Sequence, residues 1–316
     1  MKEFDDLIKI INESKTIALV SHIMPDGDAI GSLGAMYHYL KEIGKEVYMV
    51  IPNLSKRYFF LPDINEHVET VPLDKYDLLI SLDLSDLKRM NISKEDIEKA
   101  DKIAIIDHHK GNNINTVVKV VDEFAPANCQ IVYDFIKHTN HKFSKNIAEY
   151  IYLGLMTDTG SFAYERTSSK TYMIAAEMLD LGVNFTKTCK LMNDTHTENK
   201  MKLVAYVINN MEVYFDGKVR LAIVDKDIID KLNATQDDVD SLVDYLRCIE
   251  GTKAAIYIRY IKDSEYKVSM RTEDPIDAAE VAFKFNGGGH IRAAGFTTYD
   301  LEKDKKELIE ILERLF

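Results

Sequence analysis

Ile17-Ala18-Leu19-Val20-Ser21-His22-Ile23-Met24-Pro25-Asp26-Gly27-Asp28 is a short apolar run that breaks off in a loop carrying one imidazole and two carboxylates. A run of this length, stopped by the turn residues Pro25, Asp26 and Gly27, reads as a buried strand. Three later apolar runs end the same way: Leu78-Leu79-Ile80-Ser81-Leu82-Asp83, Ile103-Ala104-Ile105-Ile106-Asp107-His108-His109 and Tyr152-Leu153-Gly154-Leu155-Met156-Thr157-Asp158. One acidic strand tip is an accident. Four of them put His22, Asp26, Asp28, Asp83, His108, His109 and Asp158 at predicted strand ends and point to a shared site.

Working outward, apolar spacing predicts a helix over 4–13, a strand over 16–21, a helix over 27–43 closed by Gly44, and a strand over 46–51. Strands follow at 77–83, 102–107 and 117–121, with a short polar helix over 93–100, and helices at 127–137, 144–155 and 168–181. Nearly continuous apolar strands alternating with helices define an α/β class, a parallel sheet with helices on both faces. In such sheets the ligand crevice lies beyond the carboxyl ends of the strands, where the acidic tips fall. The polar stretch 184–200 changes the character of the chain. The expected organisation is a catalytic, metal-binding domain over 1–183, a linker over 184–205 and a smaller mixed α+β domain over 206–316. In the latter, 211–214 with 218–224 and 254–260 with 265–271 read as strand pairs, and 236–248, 276–285 and 303–315 as helices.

A chain of 316 residues has ample core for two domains. Its net charge of -12 and pI near 5.3 argue against a long nucleic-acid track, which needs dense Lys and Arg. Cys129, Cys189 and Cys248 are far apart and form no C-x-x-C pair, which argues against a thiolate zinc site or disulfide framework and suits a reducing cytoplasm. No apolar run approaches the roughly 20 residues that span a bilayer, and no signal peptide is legible, so neither a membrane partner nor export is expected.

A cluster of carboxylates and imidazoles suits divalent ions, and imidazole draws the preference from Mg2+ toward Mn2+, Fe2+ or Co2+. The donors are too many for one ion. Two ions about 3.5 to 4 Å apart need a bridging carboxylate, and Asp83, alone on its strand, is the candidate. Asn286-Gly287-Gly288-Gly289-His290 is the second signal, since successive glycines let backbone amides converge on an anion. A turn after a helix is the plainer reading of the glycines alone. His290, Arg292 and Arg271 could add charge, Arg271 in bidentate fashion. His38, His67, His138, His141 and His196 have no clustered acidic partners and read as surface residues, and Tyr48 and Tyr58-Phe59-Phe60 read as core rather than base-stacking platforms.

These residues, in this order, resemble the DHH phosphoesterases, named for a triplet that here is Asp107-His108-His109. Asp26-Gly27-Asp28-Ala29-Ile30-Gly31-Ser32, Asp83, the triplet and Asp158-Thr159-Gly160-Ser161-Phe162 follow the family's order, and Val268 to Thr272 with Gly287 to Phe296 resembles its DHH-associated substrate domain. At this length the pairing is similar to the family's nano-RNase and pAp phosphatase group. The resemblance implies one Mn2+ on His22, Asp26 and Asp83 and another on Asp28, Asp83, His108 and Asp158, with Mg2+ or Co2+ as substitutes. It implies that Asp107 orients a ligand imidazole and that His109 faces the substrate phosphate, protonating the leaving oxygen or stabilising charge. Arg271, Gly288, Gly289 and His290 would hold the substrate's phosphate from the second domain. The implied substrates are short oligoribonucleotides, pAp or dinucleotides, with a homodimer as the family-level expectation. Where relatives carry a small hydroxyl residue after Ala125-Pro126, this chain has Asn128-Cys129-Gln130, and Cys129 reads as a packed residue rather than a nucleophile.

The nearest rival is a stand-alone cyclic di-AMP or pApA phosphodiesterase with the same two domains. A membrane-bound esterase lacks its membrane segments here, a RecJ-type exonuclease its extra binding modules, and a pyrophosphatase of the same superfamily would lack the glycine-rich region. A non-catalytic nucleotide sensor would have lost ligands, and all seven positions are present.

Overall fold

Phe4, Leu7, Ile10 and Ile11 recur at helical spacing and bury one face of α1 (Lys2–Glu13), after which the apolar alternation carries the chain into β1 (Thr16–Val20). The computed structural model describes residues 2–112 and 114–316. There follow α2 (Gly27–Glu42), β2 (Glu46–Met49), β3 (Tyr76–Leu82), α3 (Lys94–Glu98), β4 (Ala100–Asp107), β5 (Val118–Val121), α4 (Asn128–His138), α5 (Lys145–Asp158), α6 (Ser169–Asp180) and α7 (Phe185–Cys189). The strands form one parallel sheet in the order β2-β1-β3-β4-β5. Both faces are apolar because alternate residues go to different cores. Ile17, Leu19, Leu78, Ile80 and Ile106 pack with α1, α2, α4 and α5. Ala18, Val20, Leu79 and Ile105 pack under irregular segments that supply Val50, Val71, Leu84 and Met90, and under Ile97 of α3. The two faces are therefore covered unequally.

The chain divides at Thr195/His196, inside the stretch expected as a linker. That stretch is itself helical: α7 and a π-helical turn, Lys190–Asp194, belong to the first unit, and the second opens with α8 (Glu198–Asn210). Then come β6 (Glu212–Tyr214), β7 (Val219–Val224), α9 (Lys226–Leu232), α10 (Gln236–Val239), α11 (Val243–Arg247), β8 (Ala254–Lys262), β9 (Glu265–Thr272), α12 (Ala278–Phe283), β10 (Gly288–His290), β11 (Ala293–Thr298) and α13 (Leu301–Glu313). The sheet order is β10-β11-β9-β8-β7-β6, mixed, with β7 and β8 the parallel pair. Ile256 and Ile258 face α12 and α13, and Ala255 and Tyr257 face the core shared with α8 and α11.

Three elements differ from expectation. The run 152–158, read both within the helix expected over 144–155 and as an acidic strand tip, is the end of that helix, α5, which runs on to Asp158; buried on nearly every side, so short an apolar run has no periodicity to separate helix from strand. The helix expected over 236–248 is two pieces broken at Ser241, which adopts φ +61°. Tyr257 OH donates to Val239 O at 2.9 Å, taking the carbonyl that a continuous helix would use. The glycine-rich run is no free turn: Gly288–His290 is an edge strand paired with β11. Among the described residues, no helix is long and apolar enough to cross a membrane.

Candidate metal centre

β1 and β3 are neighbours although β2 lies between them in sequence, so the strand order reverses there, and the loops after β1, β3 and β4 all emerge at the sheet's carboxyl edge. Asp26 is the N-cap of α2, its Oδ1 accepting from the amides of Asp28 and Ala29 at 3.0 Å each. Asp83 follows β3 in the left-handed region, φ +58°, its amide bonded to Ile106 O. His108 and His109 follow β4 directly, and Asp158 is the last residue of α5.

α5 reaches the cluster because it crosses α2 and α4 with almost no intervening side chain. A methyl on Gly31 would lie 2.6 Å from Tyr150 O, and one on Gly154 would lie 2.1 Å from Cys129 Sγ and 2.6 Å from Asp28 Oδ1. Asp28 in turn replaces the missing cap of α4, whose N-cap Ala127 makes no side-chain bond. Asp28 Oδ2 accepts from Asn128 N at 2.5 Å and its Oδ1 from Cys129 N at 2.9 Å. Asn128 and Cys129 thus act through their backbone amides, which a reading by side-chain type misses.

The seven expected residues converge. Three sets of donor atoms lie within 4.8 Å of one another: His22, Asp26 and Asp83; Asp28, His108 and Asp158; and Asp83, His108 and His109. His22 Nε2 is 4.0 Å from Asp26 Oδ2 and 3.7 Å from Asp83 Oδ2, whereas His108 Nε2 is 3.4 Å from Asp83 Oδ1, 3.6 Å from Asp158 Oδ2 and 3.9 Å from Asp28 Oδ2. The two oxygens of Asp83 therefore face different groups. His22 Nδ1 is held by Ile23 O at 2.9 Å and His108 Nδ1 by Ala125 O at 3.1 Å, which turns each Nε2 toward the cluster.

Asp107 holds neither of the implied ligand imidazoles, whose Nδ1 atoms bond to backbone carbonyls, but that of His109: Oδ1 meets Nδ1 at 2.7 Å. Its Oδ2 accepts from Asn112 Nδ2 at 2.6 Å, and Asn112 also donates to Leu84 O. Asn112 carried no sequence signal, being a polar residue in a loop. Of the five discounted histidines none joins the cluster, but His38 is buried rather than superficial, packed against Tyr37 and Tyr150.

Crowding sets the protonation of the metal-free cluster. Burial pushes the His22 imidazole down, but Asp83 and Asp26 outweigh it and raise its pKa to about 9. The same opposition, with Asp83, Asp28 and Asp158 as partners, raises His108 to about 11. Burial and the Asp83 charge push Asp28 up to about 7, and desolvation with the Asp28 charge holds Asp158 well above the ordinary range. Burial opposes ionisation of Asp83 too, yet the bonds from His108 and His22 bring its pKa down. Carboxylates and imidazoles that retain protons at neutral pH in so small a space fit a site built for divalent cations.

In the second unit, Arg271 on β9 and His290 on β10 both pair with Ala293 of the strand between them, so they share one face of the sheet, about 9.5 Å apart by strand spacing. Arg271 Nε donates to Asp244 Oδ1 at 3.2 Å and its Nη1 to Met270 O. Gly287 packs where a methyl would meet Gly295 O at 2.3 Å, while Gly288 is open and Gly289 adopts φ +144°. Arg292, considered for anion binding, is instead tied to Asp274 and Ile276 O.

A carboxylate and imidazole cluster of this kind at the edge of a parallel sheet could hold divalent ions. Residues 16–155 match the DHH family N-terminal domain and residues 216–316 the DHHA1 domain. The bifunctional oligoribonuclease and PAP phosphatase NrnA of Thermus thermophilus is 30% identical over 293 residues, 92% of this chain and 86% of that protein. The chain belongs to the DHH family. Among solved structures, an exopolyphosphatase-related protein from Bacteroides fragilis matches with a TM-score of 0.89 at 27% identity, covering 99% of this chain and 96% of that one. RecJ of Thermus thermophilus, in complex with Mn2+, shares the fold at a TM-score of 0.59 and 12% identity, over 99% of this chain and 54% of that one.

Proposed function

We propose that this protein hydrolyses short oligoribonucleotides to mononucleotides and pAp to AMP, using two Mn2+ ions. The observation that carries the reading is the divided carboxylate of Asp83, with Oδ2 toward His22 at 3.7 Å and Oδ1 toward His108 at 3.4 Å. His22, Asp26 and Asp83 would hold one ion, and Asp28, Asp83, His108 and Asp158 the other. Two ions so held would supply an activated water and offset charge on the phosphoryl oxygens.

The protein's own groups do the rest. The carbonyls of Ile23 and Ala125 fix the His22 and His108 rings. Asp107 holds His109 through Nδ1, so its Nε2 is the nitrogen available to the leaving oxygen, to protonate it or to stabilise its charge. Arg271, Gly288, Gly289 and His290 of the second unit would hold a phosphate of the substrate. Residues 1–183 act as the catalytic domain and 206–316 as the substrate domain, in a cytoplasmic protein. The Thermus relative named as an oligoribonuclease and PAP phosphatase, aligned over most of both chains, supports this substrate class.

The test is Mn2+-dependent hydrolysis of pAp, pApA, a short RNA and cyclic di-AMP side by side, with products resolved chromatographically. Mononucleotides from RNA and AMP from pAp are expected. Selective turnover of cyclic di-AMP would replace the reading with that of a signalling phosphodiesterase.

A further inference from the structure

Phe124 is 92% exposed, an unusual position for so large an apolar ring. It stands one residue, about 3.8 Å along the chain, before Ala125, whose carbonyl fixes the His108 ring at 3.1 Å. The turn that presents it is firmly built. Phe124 N donates to Asp122 Oδ1 at 3.0 Å, Ala125 N to Asp122 O at 3.1 Å, and Gly111 N, two residues beyond His109, to Glu123 Oε1 at 3.0 Å. A second exposed apolar residue stands in a loop of the same cluster: Met24, 56% exposed and held at φ +53°, lies between His22 and Asp26 in sequence.

A cluster of carboxylates and imidazoles with an exposed aromatic ring in the loop that holds one of its imidazoles suits a ligand having a phosphate and a π face together. Inorganic polyphosphate has no such face; a nucleotide does, and bases unstacked from their neighbours settle on aromatic side chains whatever their identity. We propose that Phe124 is a stacking platform for the nucleobase of the nucleotide whose phosphate lies at the carboxylate and imidazole cluster. This rests on the proposed function and adds the element that separates nucleotides from base-free phosphates.

The experiment measures binding of AMP and of ribose 5-phosphate to the Mn2+-loaded protein by titration calorimetry, in the parent, Phe124→Ala and Phe124→Trp, with turnover of pAp followed in parallel. Because the ring is solvated, neither variant should lose stability. The parent should prefer AMP by about 5- to 100-fold, the factor expected of one base stacked on an aromatic ring. Phe124→Ala should erase that preference without weakening ribose 5-phosphate, and Phe124→Trp should keep it. An AMP preference that survives in Phe124→Ala, an equal loss of both ligands, or dissociation of an oligomer on substitution would overturn the proposal. Absence of pAp turnover with the AMP preference intact would instead count against the proposed reaction.

Discussion

Gly154 is where packing and chemistry meet, and its substitution by Ala has a calculable outcome. The added methyl would lie 2.1 Å from Cys129 Sγ, 2.8 Å from Cys129 Cβ and 2.6 Å from Asp28 Oδ1, against ordinary contacts of roughly 3.5 to 4.0 Å. The helices must part, or the two side chains must shift, by an ångström or more. Overpacking of this kind costs about 1 to 3 kcal/mol, and the helix propensity of Ala returns up to about 1 kcal/mol. A net loss of about 1 to 2 kcal/mol is expected, which for a unit of this size lowers Tm by roughly 2 to 8 °C. Because Asp28 is one of the atoms displaced, Mn2+ affinity should fall as well. Cys129→Ala in the same chain removes the nearest atom, so a double-mutant cycle should show at least about 1 kcal/mol of favourable coupling. Thermal unfolding and Mn2+ titration of the four proteins supply the readout. A Gly154→Ala protein with the parent's Tm and metal affinity would refute the claim that close approach of α2, α4 and α5 shapes the site.

Asp83→Ala should abolish Mn2+-dependent hydrolysis, since both donor groups lose their shared carboxylate; unchanged turnover would remove the bridging assignment. Asn112→Ala should lower kcat by about 10- to 100-fold with KM little changed, as supports of site residues do, by loosening Asp107 and with it His109; a KM effect alone would contradict that route. In the metal-free protein, His22 is raised from 6.5 to about 9 and Asp28 from 3.8 to about 7, so the folded state binds more protons than the unfolded. Their contribution is fully present below the unfolded values and is lost as pH rises, through about 7 for Asp28 and about 9 for His22. Unfolding of chelator-treated protein should therefore weaken between pH 6.5 and 9, while Mn2+ affinity, which must displace those protons, rises over the same window; a metal-free protein that gains stability with pH would contradict it.

The site's constituents were legible because metal chemistry is demanding about side-chain type. Few residue types besides Asp, Glu, His and Cys bind divalent ions, and apolar strands that stop in such residues announce a sheet edge before any fold is known. What supports those residues was not legible, because support comes from groups that every residue carries. The carbonyls of Ile23 and Ala125 and the amides of Asn128 and Cys129 have no side-chain signature. Asn112 looks like any loop residue until its amide is found against Asp107. Phe124 likewise needed its exposure, and the bond between its neighbour Ala125 and the His108 ring, to be noticed.

Taken alone, the sequence determined the α/β class of the first unit, the mixed second unit, and the residues His22, Asp26, Asp28, Asp83, His108, His109 and Asp158, because burial periodicity and ligand chemistry are local properties of residue type. Tertiary structure decided that the helix expected over 144–155 runs on to carry Asp158 as its last residue, that residues 236–248 break at Ser241 to release a carbonyl to Tyr257, and that Gly288–His290 pairs as an edge strand. It also decided which imidazole Asp107 holds. In each case the outcome depends on hydrogen-bond partners and packing surfaces distant in sequence, such as Tyr257 on Val239, β11 on β10 and α2 on α5, and no window of local pattern contains both partners.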